Sequence, residues 1–227
     1  ACRQEGGLEM EQPLRLLFLG LGGGTLASLF AHLCPDSQMI AVELDQVVID
    51  AATSCLGLRG RDGTALVCGD AYEWVRHAAA ANSSVSSSRF DVIVIDVYDE
   101  NNVTPPKFYS DVFLADCRRL LAPSGVLLQN LHTGSSSLDA AFVSAATVFR
   151  NTFIHGAAAV PVSGQGNTIL CASVNTTVFG RASASKVQAR SAAESKHLRL
   201  ITFDTAQRLA NFRPLGGPVG GSGTPAT

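Results

Sequence analysis

The chain has 227 residues, 46% of them hydrophobic and 16% charged, with a formal net charge of −2. That length and balance support one buried α/β core and exclude an intrinsically disordered chain. The near-neutral charge, without a basic stripe, argues against a nucleic-acid partner, and no apolar run is long enough to span a bilayer.

Residues 1–12 (ACRQEGGLEMEQ) are polar and read as a leader or boundary segment. Leu14–Leu19 (LRLLFL) is a short apolar run ending in glycines, the pattern of a buried parallel strand. Thr25–Leu33 suits a helix stopped by Pro35, Met39–Leu44 a second strand, and Gln46–Leu56 a second helix with Val47, Val48, Ala51 and Ala52 on one face. A third strand over Ala65–Cys68 and a helix over Ala71–Ala81 follow, then a serine-rich loop, Ser83–Ser88. Phe90–Ile95 (FDVIVI) is a fourth strand, and Phe108–Leu121 a helix closed by the turn Ala122-Pro123-Ser124-Gly125. Val126–Asn130 is a fifth strand and Leu138–Phe149 a helix. Phe153–Val160 and Thr168–Val174 are expected to pair antiparallel across a turn at Ser163–Asn167. A last helix is expected over Thr205–Ala210, before a Gly/Pro-rich tail.

Strands alternating with helices at this spacing predict a Rossmann-like α/β fold: a mainly parallel, seven-stranded sheet with helices on both faces. The expected organisation is one domain over 13–175, a C-terminal extension over 176–213 and a disordered tail over 214–227. Six scattered cysteines (Cys2, Cys34, Cys55, Cys68, Cys117 and Cys171) show no zinc spacing. They read as buried free thiols, which suits a reducing, cytoplasmic setting.

In such a sheet the chemistry gathers at the C-terminal ends of the strands. The turn Gly20-Leu21-Gly22-Gly23-Gly24-Thr25 lies between the first strand and its helix. Glycines let backbone approach a ligand closely, and the helix start offers N–H groups to an anion. Glu43, about twenty residues on, closes the second strand, where an acid accepts from both ribose hydroxyls. This pair of features also fits a nicotinamide dehydrogenase. Asp70 and Ala71 follow the third strand; Asp70 could accept from an adenine amino group or simply cap its helix. Asp96 and Asp99 flank Val97-Tyr98 after the fourth strand. Two carboxylates there can hold a cationic amine, and one can take its proton, or Asp99 can merely shape a turn. Pro105 and Pro106 stiffen the next segment into a wall. Asn130, closing the fifth strand, either contacts substrate or ties down the Asp96 loop, while His132 reads as a solvated loop histidine sooner than as a base. No His, Asp and Glu set has metal spacing.

These residues sit in the blocks LGLGGGTL, AVELD, CGDAYEWV, FDVIVIDVYD, TPPKFYSDVFL, LLAPSGVLLQNL and GQGNTIL. In order and spacing, from about Leu14 to Val174, the blocks resemble the spermidine-synthase-like branch of class I S-adenosylmethionine-dependent methyltransferases. The resemblance implies that Gly20, Gly22 and Gly24 line the methionine end of the cofactor. It gives Glu43 the ribose, Asp70 and Ala71 the adenine, and Asp96 a place beside the sulfonium. The Asp96–Asp99 pair matches the acids by which aminopropyltransferases hold and deprotonate a polyamine. Two departures bear on the choice of reaction. The acid that spermidine synthases carry in the glycine turn falls at Gly23, and their β-rich N-terminal segment has about a dozen residues to match it here. The implied function is methyl transfer from S-adenosylmethionine to an amine, a protein lysine or N-terminus. Two alternatives stay open: aminopropyl transfer from decarboxylated S-adenosylmethionine to a diamine, and an inactive cofactor-binding or scaffold domain. Relatives in this branch dimerise, so a homodimer is compatible with the resemblance.

Overall fold

A computed structural model of the chain describes residues 13–58, 63–81, 89–154, 156–162, 166–176 and 213–215. The leader, the serine-rich loop and the expected helix at 205–210 lie outside them. The strands are β1 (Arg15–Leu19), β2 (Gln38–Glu43), β3 (Thr64–Cys68), β4 (Phe90–Ile95), β5 (Leu121–His132), β6 (Ala157–Val162), β7 (Asn167–Ser173) and the two-residue β8 (Arg213–Pro214). The helices are α1 (Thr25–Leu33), α2 (Gln46–Ser54), α3 (Ala71–Ala81), α4 (Asp111–Leu120) and α5 (Ser136–Thr152).

The sheet order is β3-β2-β1-β4-β5-β7-β6-β8. The first five strands are parallel, and β7 joins β5 antiparallel. Alternation along the strands sorts the core into two layers. Leu17, Leu19, Ile93, Ile95 and Leu127 face α3, α4 and α5. Leu16, Phe18, Ala41 and Val94 face the other way, with Ala27 of α1 and Ala52 of α2. Burial on both faces is why these strands read as continuous apolar runs.

The structure differs from the sequence reading in four places, one of them the strand expected from Phe153, which starts at Ala157 because Phe153 is the C-cap of α5. The helix expected over Phe108–Leu121 is split: a 3-10 turn, Pro106–Tyr109, comes first. Ser110 is extended (φ −75°, ψ 153°), and its hydroxyl accepts from the Phe113 N–H to start α4. The turn at Ala122–Gly125 is a bulge inside β5 rather than a break before it: Leu121 pairs with Phe90, and Val126 already pairs with Val92. A side chain on Gly125 would lie 2.6 Å from the Phe90 carbonyl, so this bend admits only glycine. Finally, Arg213–Pro214 pairs with β6, so the expected boundary at 214 falls within a strand.

The cysteine reading also changes. Cys117 and Cys171 are buried free thiols as expected; burial raises both, Cys171 to about 12. Cys55 and Cys68 are free but exposed, and Cys34 is disulfide-bonded. Among the described residues no helix is long and apolar enough to cross a membrane, and no group of His, Cys, Asp or Glu could hold a metal ion.

Candidate functional site

Because β1 to β5 run in the same direction, their C-terminal ends bring Gly20, Glu43, Asp70, Asp96 and Asn130 to one edge of the sheet. The glycine turn is built as its composition demands. Gly20, Gly22 and Gly24 all have positive φ, at 88°, 51° and 72°. A Cβ on Gly20 would stand 2.3 Å from the Asp96 carbonyl oxygen, so this glycine is what lets β1 and β4 end side by side. Gly22 faces open space. Gly24 is the N-cap of α1 and has no side chain to close it, so the first-turn N–H groups are left for solvent or an anion.

Glu43 stands over this turn. Its Oε2 accepts from the N–H of Leu21 at 2.9 Å and of Gly22 at 3.4 Å, and its Oε1 from the Asp45 N–H at 3.2 Å. The acid is thus aimed at the mouth of the crevice by backbone donors. Oε1 keeps acceptor capacity for a hydroxyl, while Oε2 is taken up by its two donors.

Asp70 caps its helix, one of its two expected roles, and also meets a lysine that the sequence reading did not assign to it. Its Oδ1 takes the Tyr72 N–H at 2.7 Å, capping α3, and its Oδ2 meets Lys107 Nζ at 2.7 Å. Burial works to raise this carboxyl. The Lys107 bond and charge, with the Tyr72 and Glu73 N–H groups, overcome it and hold the carboxyl below the ordinary aspartate value.

At the tip of β4, Asp96 is exposed and accepts from Asn130 Nδ2 at 3.0 Å. Asn130 Oδ1 accepts in turn from Asn167 Nδ2 at 2.9 Å. Asn130 therefore ties down the Asp96 carboxylate, one of its two expected roles. Asp99 is turned into its own loop: its Oδ1 accepts from the N–H groups of Asn101 and Val103, both at 2.9 Å. The two acids share a loop without sharing a partner.

His132 is not a solvated loop residue. It ends β5, half-buried, with its ring stacked on Tyr98 at 4.4 Å and its Nδ1 3.0 Å from the Asn102 carbonyl oxygen. The Tyr98 hydroxyl is held protonated by burial and by the nearby Asp96 charge, though no hydrogen bond of normal geometry joins the two. Sequence reasoning missed Lys107, Asn167 and Tyr98. Asn167 and Lys107 stood in quoted blocks, but their partners lie 37 residues away in each case, beyond any local pattern.

Tyr98 Oη, Thr104 Oγ1 and Gln129 Oε1 are buried polar atoms without a partner among the described residues. All three belong to the β4–α4 loop or to β5, beside the crevice. A separate cavity of about 340 Å³ opens at the opposite edge, where Arg15, Gln38, Thr64 and Phe90 begin β1 to β4. Among the described residues its lining has no carboxylate, thiol or imidazole, whereas Glu43, Asp70 and Asp96 stand at the C-terminal edge.

Comparison with known proteins identifies the family and the fold. A polyamine aminopropyltransferase from Vibrio vulnificus is 31% identical over 128 residues, 56% of this chain and 41% of the relative. The human eEF1A lysine and N-terminal methyltransferase is 34% identical over 130 residues, 55% of this chain and 18% of the relative. The chain thus spans less than half the length of either. The crystal structure of human methyltransferase-like protein 13 in complex with SAH matches with a TM-score of 0.66 at 25% identity, covering 94% of this chain and 87% of that one. The Rossmann-like class I methyltransferase fold is the one expected. The Spermine/spermidine synthase domain matches residues 6–164, a span that takes in the glycine turn and the ends of β1 to β5, and the chain belongs to that family.

Proposed function

We propose that the chain is a transferase that binds S-adenosylmethionine in this crevice and passes its methyl group to an amine, on a protein lysine or N-terminus. When bound, the cofactor supplies an electrophilic methyl group on a sulfonium sulfur. The residues fit such a group. Gly20, Gly22 and Gly24 form a cradle that side chains would fill or strain, with uncapped N–H groups of α1 beside it. Glu43 Oε1 offers an acceptor to a ribose hydroxyl, and Asp70 with the Ala71 N–H suits the base. Among the described residues, the carboxylates of Glu43, Asp70, Asp96 and Asp99, with Lys107 paired to Asp70, suit a cationic centre. The amine must be neutral to attack, and Asp96, exposed and aimed by Asn130, can orient it and accept its proton. Asp99 contributes charge from a fixed loop.

The observation that carries methyl rather than aminopropyl transfer is Gly23. At the register where spermidine synthases place an acid, the turn has no carboxylate to repel that of the ordinary cofactor. The match to the human methyltransferase supports the same choice, since it is a relative named for methyl transfer to lysine and N-terminal amines. Aminopropyl transfer is the second reading, favoured by the Asp96–Asp99 pair and the bacterial aminopropyltransferase match. The expected cytoplasmic setting goes with the free thiols of Cys55, Cys68, Cys117 and Cys171, with Cys34 the exception.

Calorimetric titration of the chain with S-adenosylmethionine and with its decarboxylated analogue tests this. Preference for the ordinary cofactor is expected. Preference for the decarboxylated one would make the chain an aminopropyltransferase, and binding of neither would leave a scaffold domain.

A further inference from the structure

Lys107 is placed with unusual care for an exposed lysine. Its backbone lies in a 3-10 turn between the stiff pair Pro105-Pro106 and Phe108, which is 5% exposed and whose carbonyl accepts from Gln129 Nε2 at 3.3 Å. Its ammonium sits 5.5 Å from the centre of the Tyr72 ring and 5.2 Å from that of Phe108. From there it reaches Asp70 Oδ2 at 2.7 Å, joining the β4–α4 loop to the start of α3. Tyr72 in turn stacks on Phe113 at 5.5 Å, so the cation rests on rings that are themselves fixed.

A carboxylate has about four lone-pair positions. The Tyr72 N–H and Lys107 occupy one on each oxygen of Asp70, on opposite ends of the group. Together they stop it from rotating about its last torsion, and with the Glu73 N–H as a third donor about one position stays free. We propose that Lys107 is a positioning residue for base recognition: it locks the Asp70 carboxylate so that a free lone pair meets the exocyclic amino group of adenine. This rests on the reading of Asp70 as the residue that meets the base. Lys107 makes no contact with the base itself. It converts Asp70 from a swivelling acceptor into a fixed one, which discriminates an amino group from a carbonyl.

The test is base discrimination, measured as the ratio of dissociation constants for S-adenosylhomocysteine and S-inosylhomocysteine. The inosine compound presents a carbonyl oxygen where adenine presents its amino group. The wild-type chain should prefer the adenine compound by about tenfold or more, the scale of one charge-assisted hydrogen bond. Lys107→Met should bring the ratio severalfold nearer to one, and Lys107→Arg should restore most of it. A purely structural ion pair would weaken both compounds equally and keep the ratio, which would overturn the proposal. Tighter binding of both by Lys107→Met would also overturn it, by making Lys107 a competitor for Asp70. Asp70→Ala separates the two claims. If it loses discrimination while Lys107→Met keeps it, Asp70 meets the base and the positioning role fails. If Asp70→Ala keeps full discrimination, or the wild-type chain binds neither compound, the reading of the site fails and the proposal with it. Lys107 is 44% exposed at its side chain, and circular dichroism of the variants confirms that the fold is retained.

Discussion

Asn130 donates from its Nδ2 to Asp96 Oδ1 at 3.0 Å, so the carboxylate at the tip of β4 is aimed by a side chain of the adjacent strand. Asn167, at the start of β7, holds Asn130 by the same kind of bond. The three residues form a line across three strands that ends on the acid. Aim matters because an amine in attack geometry is lost with small displacements.

Asp96→Ala is expected to abolish transfer, a loss of at least about a hundredfold, while cofactor affinity stays within a few-fold. Asn167→Ala leaves the acid in place but frees its support. There, kcat should fall about tenfold with little change in cofactor affinity. Steady-state kinetics beside calorimetry measures both. Full turnover in Asp96→Ala would remove Asp96 from the reacting end.

Asp99 needs a different substitution, because its Oδ1 holds the N–H groups of Asn101 and Val103. Asp99→Asn keeps an amide oxygen for those donors and removes only the charge. The melting temperature should stay within about 1 °C, and KM for the amine acceptor should rise about tenfold. An unchanged KM would reduce Asp99 to a loop-forming residue.

Much of this was legible in the sequence. The glycine turn, Glu43, Asp70 and Asp96 lie at strand ends that periodicity locates, and a parallel sheet brings such ends together. Burial on both faces made β1 and β4 readable as unbroken apolar runs. The split before α4 was harder to see, because Ser110 ends one helical turn and caps the next within a pattern that stays amphipathic throughout. The roles of His132 and Lys107 were hidden for another reason. Each is defined by a partner on a distant loop, Asn102 and Tyr98 for the first and Asp70 for the second. The cap reading of Asp70 was legible, but its second oxygen meets Lys107, a partner on a distant loop.

The Lys107–Asp70 pair carries a pH signature in stability. The Asp70 carboxyl lies below its ordinary value when folded, and it titrates near 4 when unfolded, roughly the model-peptide value. Its contribution is therefore complete above the unfolded value and is lost as pH falls through the lowered folded one. Side-chain exposure of 44% and 36% keeps the pair weak, at about 0.5–1 kcal/mol after solvent screening. Lys107→Met should lower the melting temperature by roughly 2 °C at pH 7. The difference should vanish in strong acid, where Asp70 is protonated in both proteins. A gap independent of pH, followed by differential scanning calorimetry, would assign the loss to the rings of Tyr72 and Phe108 instead of the charge.

Gly23 offers the most direct test of which cofactor the turn accepts. Its φ is not positive, unlike those of Gly20, Gly22 and Gly24, so a side chain there meets no backbone penalty. A Cβ would lie 3.1 Å from Leu56 Cδ1, and Leu56 is 63% exposed and free to shift. Gly23→Asp is thus expected to fold. Its new carboxylate would stand in the turn assigned to the methionine end of the cofactor. Affinity for S-adenosylmethionine should fall about tenfold or more, the cost of placing like charges together in a partly enclosed site. The decarboxylated analogue lacks the opposing charge and gains an attractive partner for its amine, so its affinity should hold or rise. Calorimetry with both compounds reads the crossover. If the substitution weakened both equally, the glycine turn would not meet the carboxylate end, and the argument from Gly23 for methyl transfer would fall.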